Sequence, residues 1–528
     1  MSEYFKSEYE KELEAKLNIQ VFDEFEDNIN VSAVDIGMSA GGTIDCYTAL
    51  AAYITSRGAS PTDLYLSAGT YKLGTDITVP ATFRLIFANG AMFSVDSGKT
   101  LTINGKIKAG TYQIFTGDGT IAGTPIIKKV YTEWFNVLSD NSTDNTAKMA
   151  AAVSFTPTDS VLRIQGGTLK ANVIINKSYI TIEHVIGGYI KPYSTASACF
   201  LVGGQAGQVR DINIKTLSLA GTNSAAAVDS HGLQISNVRD ITFGNIVSES
   251  FGGHNLYITS SSNYTSYVSF LRLKCRYAKK SNIYVEQGGV YTTAVYINNV
   301  TLINDDNNAN VRNITVADGT KLYINSGWIQ GETDKCIEML GTTSKLILNN
   351  VYVDSDNSAD NLIVHTNTNN CLVYGSFTCD GRIVLQNGTY FNHAYEYLDG
   401  VPKETIIDAT IVSTGYTDIC TLGINTSYKI TIAFSDATDN AAANAWIEYY
   451  CVCDSVNIKT TKVEIVNDGT SGINHKMKTD TNGSFVADAD RLILQLQAKD
   501  ATANQVVIKI EALSLKASGA SCKVTSLV

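Results

Sequence analysis

The sequence predicts an all-β protein built around a right-handed parallel β-helix, and two observations support this. Over residues 161–391, short segments alternate apolar and polar residues between Gly, Asn and Asp, a period of two that is typical of strands. These segments recur every 21–31 residues, which indicates a solenoid and leaves no room for crossover helices. The inward aliphatic side chains would then stack into one long core. Seven of them are predicted to be equivalent: Ile235, Ile258, Ile283, Ile314, Ile337, Leu362 and Ile383.

Residues 1–42 are predicted to form a short N-terminal helix and an adaptor segment. Phe5, Tyr9, Leu13 and Leu17 recur every four residues among Glu and Lys, which gives one apolar stripe along residues 3–17. A helix of about fifteen residues is marginal alone, so the stripe must pack against something. It either caps the first coil or docks onto a larger assembly, as an adaptor or a three-chain bundle.

Residues 43–130 are predicted to be a first β block, comparable to a head or neck domain. Leu50 and Ile54 have helical spacing, and short strand-like segments follow from Ile77 onward. The β-helix is predicted over residues 131–395. A short helix beginning at Asn145 would cap its exposed sheet end, because an uncovered end invites edge-to-edge association.

The periodicity changes after residue 391. Residues 396–528 carry longer alternating segments separated by polar turns such as Asn467-Asp-Gly. This pattern predicts a C-terminal antiparallel β-sandwich, which would either trimerise the chain or bind sugar.

Two motifs stand at the entry to the repeats. One covers residues 91–119, with the core KTLTINGKIKAGTYQIFTGDG, and the other is Glu133-Trp-Phe-Asn followed by an Asp-rich turn and a short helix. Together they resemble the front of bacteriophage tailspikes and tail fibres with pectate-lyase-like β-helices, over about residues 43–155. Asn136 stands where that family usually has Gly. We interpret Trp134 and Phe135 as apolar wedges that close the first coil, rather than as a sugar platform.

The resemblance implies a component of the virion tail. Such a protein would act outside the cell on a bacterial surface polysaccharide, assemble as a parallel homotrimer, and join other tail proteins through its N-terminus. A start without the basic end and apolar centre of a signal peptide fits synthesis in the host cytoplasm and release on a particle or by lysis.

Composition excludes several other classes of partner. The formal charge of −11 argues against nucleic acid and anionic membrane surfaces. No apolar run is long enough to cross a bilayer, so membrane insertion is not expected. The ten cysteines are scattered, with no pair spaced like metal ligands, and we expect reduced, buried thiols. No metal site or cofactor is predicted.

A column of carboxylates is the main candidate for catalysis. When the second strands of three coils are aligned from Val295, Lys321 and Lys345, acidic residues fall at or near one turn in each coil. Coils stack about 4.8 Å apart, so the second and third coils would place two carboxylates about 5 Å apart, the spacing of a retaining glycosidase. The first and third would be about 10 Å apart, near the 6.5–9.5 Å of an inverting pair. The predicted catalytic residues are Asp305, Glu332, Asp334 and Asp356.

Trp328 and Tyr352 lie on the strand before these turns and could present an aromatic face to a sugar. Three structural alternatives stay open for the acidic residues. Asp and Asn commonly bond to the backbone in turns, acidic residues pair with basic ones on the preceding coil, and oxygen clusters bind Ca²⁺.

A second candidate is the pair His231 and His254, which lie 23 residues apart at matching positions. With Asp229 and Glu249 nearby, the pair could supply the base of a lyase and contribute to substrate binding. Two stacked histidines also form polar ladders without any catalytic role.

The sequence therefore predicts a tailspike or tail fibre that recognises a bacterial capsule or O-antigen and depolymerises it by endoglycosidic hydrolysis. A non-enzymatic receptor-binding or structural tail protein is the first alternative. A polysaccharide lyase is the second.

Overall fold

The computed structural model describes residues 31–354 except 205–206, 223–226, 228, 290, 305–310, 318, 332–335 and 341–343; beyond residue 354 it describes strands and the side chain of Phe377. The predicted helix over residues 3–17 lies outside these residues. The chain divides into two compact units, residues 1–138 with 147–165, and residues 139–146 with 166–528.

In the first unit, parallel pairing already begins at residue 31. Residues 43–130, predicted as a separate β block, contribute most strands of three parallel stacks that begin at Val31. The first stack is Val31–Ser32 (β1), Thr62–Leu66 (β3), Phe83–Phe87 (β6) and Lys106–Lys108 (β9). The second is Gly41–Asp45 (β2), Gly69–Leu73 (β4), Ala91–Val95 (β7) and Phe115–Thr116 (β10). The third is Ile77–Val79 (β5), Thr100–Ile103 (β8) and Thr120–Ala122 (β11). Lys129–Tyr131 (β12) pairs in parallel with Ser160–Ile164 (β14).

Two predicted helices are confirmed, as α1 (Tyr47–Arg57) and α2 (Thr146–Phe155). Between them a single 3₁₀ turn, Thr132–Phe135, carries the aromatic pair of the second motif. Trp134 and Phe135 are only 2% and 7% exposed, and the Trp134 indole donates a hydrogen bond to the Gly110 carbonyl at 2.8 Å. They are wedges in the core, as predicted.

The second unit contains the β-helix, in which the strands of successive coils pair in parallel. One sheet, here the short-strand sheet, is Val173–Ile175 (β16), Phe200–Val202 (β19), Leu233–Ser236 (β21), Leu256–Thr259 (β23), Ser281–Val285 (β25), Arg312–Val316 (β28), Ile337–Met339 (β31), Ile363–His365 (β34) and Arg382–Leu385 (β36). The alternation of buried and outward residues along these strands confirms the predicted fold.

The other sheet, here the long-strand sheet, has one long strand per coil at its centre and two shorter strands per coil before and after that. Its members are Asp140–Asp144 (β13), Thr168–Lys170 (β15), Ile180–His184 (β17), Ile190–Lys191 (β18), Val209–Ala220 (β20), Val238–Glu249 (β22), Thr265–Arg276 (β24), Thr292–Ile297 (β26), Val300–Asn304 (β27), Lys321–Ile324 (β29), Gly327–Gly331 (β30), Lys345–Leu348 (β32), Val351–Asp354 (β33) and Leu372–Cys379 (β35). The split occurs at paired Asn residues, where Asn325 donates a hydrogen bond to Asn298 at 2.8 Å.

Three of the six predicted pairings between these positions are found, and three are not. Ile235 pairs with Ile258, and Ile283, Ile314 and Ile337 form one row. However, Ile258 pairs with Val285, two places beyond Ile283. Ile337 pairs with Ile363 rather than with Leu362, and Ile383 also pairs with Ile363. Side chains alternate between the two faces of a strand, so the two-residue error at Ile258 leaves the predicted residue on the same face. The one-residue error at Ile337 would exchange the two faces.

One line of residues across the long-strand sheet has left-handed backbone geometry in five successive coils. The residues are Tyr179, Asp211, Asp240, Tyr267 and Ala294, with φ between 54° and 58°. The strand registers place them side by side. Left-handed geometry is uncommon for residues other than Gly, so the bend is a shared property of the stack.

Antiparallel pairing begins where Arg382–Leu385 meets Tyr390–Ala394 (β37). The C-terminal region then forms two antiparallel groups of strands, which confirms the predicted sandwich. The remaining strands are Glu396–Leu398 (β38), Val401–Pro402 (β39), Glu404–Ile411 (β40), Thr417–Leu422 (β41), Thr426–Asp436 (β42), Ala445–Cys453 (β43), Ile458–Val466 (β44), Ile473–Thr479 (β45), Leu492–Ala498 (β46), Asn504–Leu515 (β47) and Cys522–Val524 (β48).

The thiols of Cys46, Cys199, Cys275 and Cys336 are free and buried, which agrees with the expectation for these four. Burial raises the pKa of each thiol. Among the described residues, no helix is long and apolar enough to cross a membrane.

Candidate functional site

The predicted catalytic carboxylates Asp305, Glu332, Asp334 and Asp356 lie outside the described residues. The strands that lead to them are described and have the predicted register. Val300 pairs with Gly327, and Gly327 pairs with Val351. Strands β27, β30 and β33 therefore bring equivalent positions to their carboxyl ends in successive coils.

Trp328 and Tyr352 are directly paired on neighbouring strands. Each is 40% exposed, so an indole and a phenol ring lie one coil apart on the outer surface. The indole nitrogen of Trp328 donates a hydrogen bond to a carboxylate oxygen of Asp354 at 3.1 Å. This contact fixes the tryptophan ring beside the last residue of β33.

His231 and His254 stack, with ring centroids 5.2 Å apart and ring planes 13° from parallel. Nδ1 of His231 accepts the backbone N–H of His254, and Nδ1 of His254 accepts the backbone N–H of Ser281, both at 3.1 Å. Burial lowers the pKa of His231 to about 4 and lowers that of His254 well below its ordinary value. The pair is thus a neutral ladder joining coils, which favours the structural alternative. Glu249 is ion-paired with Arg276.

A groove runs over the outer face of the short-strand sheet and was not predicted. It consists of two adjoining cavities of about 290 and 490 Å³ that share Leu201, Gln234 and Tyr257. Asp229 and His231 line the smaller cavity, and Glu286 lines the larger. We call this feature the Tyr257 groove.

Tyr257 is held firmly at the centre of this groove. Its hydroxyl donates a hydrogen bond to Oε1 of Glu286, and the Thr259 hydroxyl donates to the same oxygen at 3.1 Å. The ring lies 4.7 Å from the His231 ring and 5.7 Å from the Tyr284 ring, centroid to centroid. Burial, together with Glu286, raises the pKa of Tyr257 and raises that of Tyr284 to about 12. Both phenols therefore stay protonated as donors.

Asn237 fixes the loop that forms one wall of the groove. Its side-chain oxygen accepts the backbone N–H groups of Ser261, Ser262 and Asn263 at 2.9, 3.2 and 3.1 Å. Its amide nitrogen donates to the Gly204 carbonyl at 2.7 Å. Because Asn237 is fully buried, this wall is preformed.

Sequence reasoning missed Gln234, Tyr257 and Glu286 because no motif marks them. One signal was present. Tyr257 and Tyr284 are 27 residues apart, within the repeat period, and pair side by side, so a row of outward aromatics could have been read from the spacing.

Comparisons with known proteins return structures of this general architecture. The tailspike protein gp49 of Acinetobacter baumannii bacteriophage Fri1, described as a capsular polysaccharide depolymerase, is 12% identical and aligns over 76% of this chain and 88% of its own, with a TM-score of 0.22. The tailspike of Acinetobacter baumannii phage AM24 is 10% identical over 93% of this chain and 84% of its own, with a TM-score of 0.27. The Streptococcus pneumoniae surface adhesin PfbA is 10% identical over 66% of this chain and 96% of its own, with a TM-score of 0.31.

These similarities concern the fold alone. The sequence matches no protein-family model and no curated protein. The fold itself is established by the strand pairing of this chain.

Proposed function

We propose that the protein is a bacteriophage tail protein that binds a bacterial surface polysaccharide along its β-helix and cleaves it by endoglycosidic hydrolysis. The observation that carries this proposal is the register of β27, β30 and β33, which leads to an acidic residue after each strand. The resemblance of residues 43–155 to phage tail proteins supports the biological context.

Glu332 and Asp356 are the proposed catalytic pair, with Asp305 and Asp334 beside them. Side chains at equivalent positions of adjacent coils lie about 5 Å apart, which suits a retaining mechanism. One carboxylic acid would protonate the glycosidic oxygen while the other carboxylate attacks the anomeric carbon. Water would then release the sugar from the enzyme.

Trp328 and Tyr352 are proposed to hold the polysaccharide next to this pair. Both rings are exposed on strands that end at the turns. An aromatic face covers apolar C–H surface while leaving sugar hydroxyls free to hydrogen-bond.

The test is to compare wild type with Glu332→Gln and Asp356→Asn on capsule or O-antigen purified from a susceptible host. Loss of a positioned acid or base removes roughly 10²–10⁴ in rate, so the released fragments should fall by that factor while binding is kept. Asp35→Asn, at an exposed turn of the first unit, is the matched control.

Unchanged cleavage by folded Glu332→Gln and Asp356→Asn proteins would exclude this pair. Binding of the polysaccharide by wild type without any new reducing ends would indicate the non-enzymatic tail protein. Products with an unsaturated uronate end would indicate a lyase.

The same proposal includes assembly as a parallel homotrimer, attachment to other tail proteins through residues 1–42, and a location in the virion tail. The resemblance to tail proteins is the support for each of these. Light scattering of the full chain, with and without residues 1–42, measures the oligomeric state.

A further inference from the structure

We propose that the Tyr257 groove is a second sugar subsite, apart from the cleavage site, and that it takes an uncharged sugar residue. This inference rests on the proposed function, because it assumes a polysaccharide ligand.

The dimensions of the groove suit a sugar unit on each side of Tyr257. Small-molecule sites are typically about 300–1,000 Å³, and the two cavities measure about 290 and 490 Å³. Tyr257 lines both. A chain passing over this ring would therefore place neighbouring sugars in the two cavities.

The charges around the groove select against acidic sugars. Its charged lining residues are Asp229 and Glu286, and neither Lys nor Arg is among the described residues that line it. Lys280 is near enough to act on His231 and His254, but it does not line either cavity. His231 adds no positive charge at neutral pH, since burial lowers its pKa to about 4. Among the described residues that line the groove, a uronate or sialic acid would meet only like charge.

The hydrogen-bonding groups suit hydroxyl and acetamido substituents. Gln234 lies where the two cavities meet, and its amide makes no hydrogen bond with the residues that the structure describes. It therefore offers one acceptor and two donor hydrogens to a ligand. The Ser261 hydroxyl, which accepts a hydrogen bond from the Asn237 amide at 2.8 Å, can still donate its own hydrogen to a ligand from the wall.

The groove is also preorganised, which lowers the entropy cost of binding. Glu286 anchors the Tyr257 hydroxyl, and Asn237 anchors the loop of residues 261–263. The sugar would find its aromatic platform and its wall already in place.

The test uses a glycan array carrying neutral and acidic bacterial oligosaccharides, probed with wild type, Tyr257→Ala, Tyr257→Phe and Gln234→Ala. We expect the bound glycans to include an uncharged sugar stretch. Tyr257→Ala and Gln234→Ala should weaken binding at least tenfold, and Tyr257→Phe less, because the ring remains.

Affinity should change less than twofold between 50 and 200 mM NaCl, because salt screens charges and the proposed ligand is uncharged. Tyr291→Ala, at a tyrosine 53% exposed outside the groove, is the control, expected within twofold of wild type.

The outcomes separate this inference from the proposed function. If Trp328→Ala abolishes binding while folded Tyr257→Ala and Gln234→Ala bind like wild type, the groove is not a subsite and the proposed function stands. Preference for fully acidic glycans, lost in Gln234→Ala, would overturn the assigned sugar class. Binding of no glycan at all would overturn both.

Discussion

Asn136 adopts a backbone conformation that is uncommon for residues other than Gly. It has φ 56° and ψ 38°, the left-handed conformation, at a position where the resembling family usually has Gly. Asn is among the few residues that tolerate this region. Its carbonyl accepts a hydrogen bond from the Lys148 ammonium at 2.7 Å. Asn136 therefore takes up a left-handed geometry that Gly adopts readily, and Lys148 holds its carbonyl in place.

His184 makes the second unit sensitive to acid. It is 2% exposed, its Nδ1 accepts the backbone N–H of Ser218 at 3.2 Å, and burial lowers its pKa to about 4. The unfolded chain, with a His pKa of about 6.5, binds more protons below that pH. The stability that His184 contributes is thus complete above about pH 6.5 and is lost as the pH falls toward 4.

We expect the free energy of unfolding to fall by about 2 kcal/mol between pH 7 and pH 5 on account of His184 alone. Glutamine does not titrate, so the free energy of unfolding of His184→Gln should fall by about 2 kcal/mol less than that of wild type over the same pH range. Urea unfolding at the two pH values measures both slopes. Equal slopes for wild type and His184→Gln would refute the assignment to His184.

At the level of secondary-structure elements, a buried ladder of asparagines joins the coils at one turn. The side-chain amide of Asn255 donates to Asn282, and that of Asn282 donates to Asn313. Each amide also donates to a backbone carbonyl, Asn282 to that of Ile303 at 3.0 Å. All three are at most 1% exposed. Such a network is stabilising because every member is satisfied.

Asn282→Ala should cost about 2–4 kcal/mol of unfolding free energy, since it leaves a buried donor on Asn255 and a buried acceptor on Asn313. The matched control is Asn325→Ala in the solvent-exposed asparagine pair with Asn298, where we expect a change within about 0.5 kcal/mol. Chemical denaturation of the two variants gives the comparison. Similar losses of unfolding free energy in the two variants would mean that burial does not determine how much the asparagine ladder stabilises the fold.

The sequence predicts strand order and most registers, and its errors have local causes. Ile283 and Val285 are both inward on one strand, so spacing alone cannot choose between them. Leu362 and Ile363 are adjacent aliphatic residues, so the sequence does not indicate which of the two faces the core. The Tyr257 groove depends on a hydrogen bond between the Tyr257 hydroxyl and the Glu286 carboxylate, which are 29 residues apart in the sequence. The alternation of apolar and polar residues does not predict such a contact.

For the molecule as a whole, the second unit is a stack in which each coil contacts its neighbours. Phe243 and Phe270 occupy adjacent coils with parallel rings 4.5 Å apart, and both are fully buried. Solenoids of this kind derive their stability from each repeat and its interfaces with the next. A destabilising substitution in one coil should therefore destabilise the two neighbouring coils before the rest of the unit.

Phe270→Ala should lower stability by about 3–5 kcal/mol through the cavity that it leaves. Faster amide hydrogen exchange should appear in the strands of its own coil and its two neighbours, β22, β24 and β26. The adjacent Leu271, 54% exposed, provides the control Leu271→Ala, with a change within about 0.5 kcal/mol. Equal acceleration over every strand of the unit would show all-or-none unfolding instead.

The line of left-handed residues from Tyr179 to Ala294 has an implication for how such a surface can diversify. Its five members are two tyrosines, two aspartates and an alanine, so the bend accepts aromatic, charged and small side chains alike. The neighbouring coils hold the backbone there whatever the side chain is. Successive single substitutions along this line of residues would change the outer surface of the β-helix and leave its core unchanged.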